Sequence, residues 1–152
     1  MKKLIALLLT LALCATAALA EPEEETLLDR VASVLPEAAD MEELFVEEEL
    51  SDVMGIEPEE YEQALYLADS DAMSGRELLL ILALEDTVES VAERVEAYRL
   101  RREKETVSYN PAAYKLIHEA EVVTQGNAVI LITVENSKDA VDAVLTLFAP
   151  VE

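Results

Sequence analysis

The chain is poor in the residues that most often carry chemistry. It has one cysteine, one histidine and no tryptophan among 152 residues. The cysteine is Cys14, and none follows it. Everything beyond it is therefore without a disulfide, a thiolate nucleophile or a cysteine metal ligand. The histidine is His118, so a hydrolase triad has a single candidate base. Ser108 and Ser137 exist, but no G-x-S-x-G surrounds any serine. His118 is expected as a surface residue near the end of a short helix, where a protonated imidazole suits the dipole. Positive charge is scarce too, with 11 Lys and Arg against 33 Asp and Glu and a formal charge of −22. That balance argues against nucleic-acid binding, which needs a concentrated positive surface. It disfavours adsorption to anionic lipid. It favours solubility and attracts cations.

What is present begins with an N-terminal export pattern. Lys2 and Lys3 precede the apolar run "LIALLLTLAL" (4–13), and Ala18 and Ala20 stand in A-x-A spacing. This predicts a signal peptide over residues 1–20, cut between Ala20 and Glu21. Residues 4–20 are too few for a membrane-spanning helix, which needs roughly 20 apolar positions. Cys14 follows Leu13, a poor site for lipoprotein processing. Its thiol is expected in the discarded peptide, with lipid attachment at Cys14 as the alternative. Cleavage leaves an acidic spacer, "EPEEE" (21–25), and a single domain over 26–150. The expected location is secreted or extracytoplasmic. Membrane contact follows only from a lipid anchor, on the outer face of the cytoplasmic membrane.

The hydrophobic fraction is 52%, and its pattern is periodic rather than that of a disordered acidic tail. "TLLDRVASVLP" (26–36) predicts a helix, capped by Thr26 with Asp29 and stopped by Pro36. Residues 40–56 predict a second, with Asp40 and Glu43 as a capping box and Gly55 at its end. Residues 61–68 read as a strand. "ELLLILAL" (77–84) reads as a strand buried on both faces, although leucine also suits a helix. Residues 87–105 predict the clearest helix, with Asp86 and Glu89 at its start. A short helix follows over 109–120, with Asn110 as cap and Pro111 in its first turn. Residues 121–134 predict a hairpin with "GN" at its turn. A last helix over 136–150 has Asn136 as cap. The expected fold is α+β: an antiparallel sheet of about four strands from two hairpins, helices on one face and two extra N-terminal helices.

Two further clusters have candidate roles. "DSDAMSGRE" (69–77) places Asp69 and Asp71 close together, and clustered carboxylates attract hard cations. Against the EF-hand pattern, Met73, Ser74 and Leu80 occupy positions that need an oxygen ligand, glycine and glutamate, so a polar hairpin turn is expected. Arg99, Arg101, Arg102 and Lys104 crowd the end of one helix. They read as a dock for an acidic partner or wall phosphate, or as compensation for the dipole with ion pairs to Glu96, Glu103 and Glu105. No cofactor motif is present. Any two of the 33 acids could be proposed as a glycosidase pair, so no particular pair stands out.

The segments "GRELLLILALED", "YNPAAYKLI" and "QGNAVILIT" together resemble a family of small exported proteins and lipoproteins from Gram-positive anaerobes, catalogued as a domain of unknown function. The resemblance spans residues 26 to 148 and rests most on Glu77, Tyr109 with Pro111, and Gly126. Ala128 departs from it, because an aromatic residue is expected soon after the turn glycine. The resemblance implies compartment and fold and assigns no catalytic residue. The reading is an exported, non-catalytic binding or interaction module of the cell envelope, whose partner is an envelope protein or wall component. Two alternatives stand beside it: a cofactor-independent carboxylate hydrolase and a weak extracellular calcium-binding protein.

Overall fold

A computed structural model describes residues 25–149. Cys14, Ala18, Ala20 and the spacer before Glu25 lie outside the described residues. Helix α1 (Leu27–Val34) starts at the expected capping box: the Asp29 amide donates to Thr26 Oγ1 at 3.1 Å and the Thr26 amide to Asp29 Oδ2 at 3.1 Å. Pro36 opens a 3-10 turn that closes at Asp40.

The stretch 40–56 is not one helix. Glu42–Glu43 forms a short strand, β1, and Asp40 and Glu43 make no capping box. The reason is the neighbouring edge of β2 (Tyr61–Ala68). Its free backbone groups pair Glu42 with Ala68 and Glu43 with Leu67, and they outcompete a cap. Helix α2 (Val46–Glu48) then starts and widens into a π-helical turn over Glu49–Met54. Its end is as expected. Gly55 takes φ 68°, and the Ile56 amide donates to Leu50 O at 2.9 Å while its side chain is buried.

β2 pairs with β3 (Glu77–Ala83), which pairs with β5 (Ala128–Ile132), which pairs with β4 (Val123–Gln125). The sheet has five antiparallel strands in the order β1-β2-β3-β5-β4. The two expected hairpins are present and join through β3 and β5, with Leu80 opposite Ile130. The fifth strand is the unforeseen β1. Helix α3 (Val88–Thr106) connects β3 to α4 (Pro111–Glu119), and α5 (Ser137–Leu145) follows β5. Two starts depart from expectation. Thr87, not Asp86, heads α3, and its hydroxyl donates to Glu60 O at 2.6 Å and Leu84 O at 3.0 Å instead of capping. Asn136 heads α5 in the left-handed region, at φ 60°, with no side-chain cap.

Helices cover both faces of the sheet, not one. On one face Leu65, Leu67, Leu78, Leu80, Ile130 and Ile132 pack with Val31 of α1 and Val141 and Val144 of α5. On the other, Tyr66, Leu79, Ile81, Val129 and Leu131 pack with Leu50, Met54 and the Val91–Val95–Tyr98 face of α3. The cause is the composition of the central strands. β3 and β5 have almost no polar alternation, so each face is apolar and each must be covered. Burying one leucine contributes about 1.5–3 kcal/mol, so neither face can be left in water. No helix among the described residues is long and apolar enough to cross a membrane.

Candidate functional site

A cleft of about 640 Å³ opens at the end of the sheet where β2 stops and β3 begins. The turn between those strands, the α2 segment and the last turns of α3 line it. Its key residue is Glu77. The pleat that turns Leu79 and Ile81 towards α3 turns Glu77 the same way. Tyr66 stands on that face of β2. From α3, the apolar stripe Val91, Val95 and Tyr98 continues one turn on to Arg102. These four side chains converge. The Tyr66 and Tyr98 hydroxyls donate to Glu77 Oε2 at 2.7 and 2.8 Å and lie 2.7 Å from each other. Arg102 Nη1 donates to Tyr98 Oη at 3.2 Å and stands 3.9 Å from Glu77 Oε2. Glu77 is only 3% exposed, and its second oxygen, Oε1, is buried with no hydrogen-bond partner among the described residues.

The backbone under Glu77 is locked as well. Its amide donates to Thr133 Oγ1 at 2.9 Å, the Thr133 hydroxyl donates to Gly75 O at 2.6 Å, and the Thr133 amide donates to Glu77 O at 2.8 Å. Gly75 has φ 75°, and a Cβ there would lie 2.6 Å from that of Ala113. The turn before Glu77 is therefore pressed against the start of α4, a contact only glycine permits. Asn110 completes the clamp. Its Oδ1 accepts the Ala113 amide at 3.1 Å, and its Nδ2 donates to Met73 O.

Burial, reinforced by the Glu77 charge, pushes both the Tyr66 and Tyr98 phenols above their ordinary value. They keep their protons and act as donors. Burial alone would pull the Arg102 guanidinium down, but Glu77 and the two phenols outweigh it and hold it up. The cleft thus contains a fixed carboxylate, two fixed hydroxyl donors and a fixed cation.

The predicted site residues scatter around this centre. Asp69 and Asp71 lie in the polar hairpin turn. Asp69 Oδ1 accepts the Asp71 amide at 3.1 Å and Asp71 Oδ1 the Met73 amide at 3.0 Å, while Asp69 pairs with Arg76 at 3.3 Å. Among the described residues no three His, Cys, Asp or Glu side chains are grouped to hold a metal. The basic cluster divides. Arg99 pairs along its helix with Glu96 at 2.7 Å and Glu103 at 3.0 Å. Arg101 and Arg102 turn into the cleft, and Arg101 donates to Val53 O at 2.9 Å. Lys104 and Tyr109 are exposed. His118 lies 2.7 Å from Glu103 and stacks on Tyr114, and no serine bonds it among the described residues. Pro111 opens α4, and Gly126 turns the second hairpin at φ 59°. Sequence reasoning assigned no role in a site to Tyr66, Tyr98 or Arg76. The available signal was parity: Tyr66 and Glu77 belong to the strand positions that face α3.

No curated protein and no solved structure shows a significant match to the chain. A family model matches residues 35–134. That span runs from the end of α1 through β5 and includes Tyr66, Glu77, Tyr98 and Arg102. The chain belongs to the family described as Domain of unknown function (DUF4358).

Proposed function

We propose that this protein is an exported, non-catalytic binding module of the cell envelope, and that the Glu77 cleft is its binding site. Export is supported by Lys2 and Lys3, the apolar run and the Ala18–Ala20 spacing. The observation that carries the binding reading is Glu77 Oε1, a buried carboxylate oxygen without a partner among the described residues, beside an open cleft of ligand size. Native proteins satisfy nearly all buried polar groups, so an exception next to a cleft marks a place for a donor from outside. A binding role suits the chemistry better than a reaction does. The tyrosines hold their protons, and two hydroxyl donors and a nearby cation fix one Glu77 oxygen in place.

Thermal unfolding of the full chain with a soluble digest of cell wall tests this. The melting temperature should rise with the digest for the wild type and stay unchanged for Glu77→Gln. A digest that moves neither protein, or both equally, would remove the cleft from the account.

A further inference from the structure

Resting on the reading of the Glu77 cleft as a binding site, we infer that its ligand presents an ammonium group, a small amine in its protonated form, to Glu77 Oε1. The first argument is the division of labour on the carboxylate. Both hydroxyl donors go to Oε2, and Arg102 Nη1 stands 3.9 Å from that same oxygen. Among the described residues nothing bonds Oε1, which is left as a buried acceptor. Whatever fills it must donate, and a carboxylate or phosphate arriving there would meet an oxygen of like charge.

The second argument is the charge of the walls. Seven carboxylates and three guanidinium groups line the cleft, a net of four negative charges. Two of the cations already face carboxylates, although Arg76 Nε, like Glu77 Oε1, is buried with no hydrogen-bond partner among the described residues. Arg76 lies 3.3 Å from Asp69 and 3.6 Å from Glu135, and Arg102 serves Tyr98 and Glu77. Arg101 is held by Val53 O and lies over the Tyr98 ring at 5.6 Å. By contrast Glu42, Glu49, Asp52 and Glu105 have no ion pair among the described residues. A low-dielectric cleft lined mainly by one sign of charge raises the local concentration of the other. The rim therefore gathers cations, and Glu77 Oε1 adds a buried acceptor, without a partner among the described residues, that favours an N–H donor among them. Charge-assisted bonds of this kind are the strong ones.

The experiment compares three probes of one chain length: n-butylammonium, N-butylacetamide and butyrate. Each is titrated into the full-length wild type and Glu77→Gln at constant ionic strength, with calorimetry and thermal unfolding as readouts. Butylammonium should bind the wild type and bind Glu77→Gln about tenfold more weakly. The amide and the carboxylate should leave both proteins unchanged. Equal binding of butylammonium to both proteins would mean general attraction to an acidic surface and would overturn the inference. Binding of the amide or butyrate, lost in Glu77→Gln, would overturn the ammonium assignment while leaving the cleft as the binding site. Absence of binding by all three would overturn the assignment, and the wall digest would then judge the cleft separately. If Glu77→Gln does not fold, side-chain NMR on the wild type decides. The Tyr66, Tyr98 and Glu77 signals should shift with butylammonium ahead of those of the rim acids, and a uniform shift over the surface would count against the inference.

Discussion

Tyr66 and Tyr98 share one oxygen of Glu77, and that sharing has a measurable consequence. A hydrogen bond to a buried charged group is worth about 1.5–3 kcal/mol. Tyr98→Phe should therefore destabilise the protein by about that much in urea unfolding, and Tyr66→Phe by a similar amount. Removing one hydroxyl lets the other take Oε2 alone, with a straighter bond, which softens the first loss. Removing both leaves a buried carboxylate without a hydroxyl donor. The double variant should thus cost more than the sum of the singles, by about 0.5 kcal/mol or more. Strict additivity would show that the two phenols act on Glu77 independently and do not form a unit with it. Of these residues only Glu77 was singled out from the sequence, through the family resemblance. Tyr98 reads as one more apolar residue in a helical stripe, and Tyr66 as a strand residue. Their hydroxyls acquire meaning only when β2, β3 and α3 are superposed, an arrangement no local pattern encodes.

Between elements, the exposed-looking pair Glu60 and Arg94 does structural work. Glu60 ends the turn before β2, and Arg94 projects from α3. The guanidinium bonds both Glu60 carboxylate oxygens and Gly55 O, so it ties α3 to the segment between α2 and β2. The bond from Arg94, with help from the Glu57 amide, brings Glu60 from 4.5 down to about 2. The folded value lies below the unfolded one, so the contribution is fully present above pH 4.5 and is lost as the pH falls through about 2. The pair is partly open to water, which reduces its worth to about 1 kcal/mol. The unfolding free energy of the wild type should exceed that of Glu60→Gln by that amount at pH 6, and the gap should close between pH 4.5 and 2. A gap that does not change with pH would mean that packing, not charge, makes the difference. At this scale the sequence was legible where the signal was local. The Thr26–Asp29 box, Gly55 with Ile56, Asn110 with Pro111 and the Gly126 turn all sit where short-range chemistry puts them. It was illegible where a neighbour decides. Residues 40–43 have the pattern of a helix start, yet Glu42 and Glu43 become a strand because the edge of β2 lies beside them. Thr87 has a capping side chain and spends it on Glu60 O.

At the scale of the molecule, the two-faced core and the acidic coat pull in opposite directions. The need for cover on both faces was implicit in "ELLLILAL", a run with no polar side. Sharing helices among the faces then required the chain order to place α1 and α5 together opposite α3, which composition does not specify. The coat is the opposing term. A formal charge of −22 repels itself in the compact state and less so in the expanded one. Ion pairs work the other way, through Arg76, Arg94 and Arg99, but each is at least partly open to water and worth little. With three acids for every base, most carboxylates have no cation to meet. Salt at about 0.5 M shortens the range of charge interactions to a few ångströms, against about 20 Å near 20 mM. Screening should therefore remove more repulsion than attraction. The melting temperature should rise by about 3–6 °C between those two concentrations, equally in sodium and potassium chloride. A fall would show that the arginine clamps outweigh the coat, and a rise specific to one cation would point to a bound ion in place of screening.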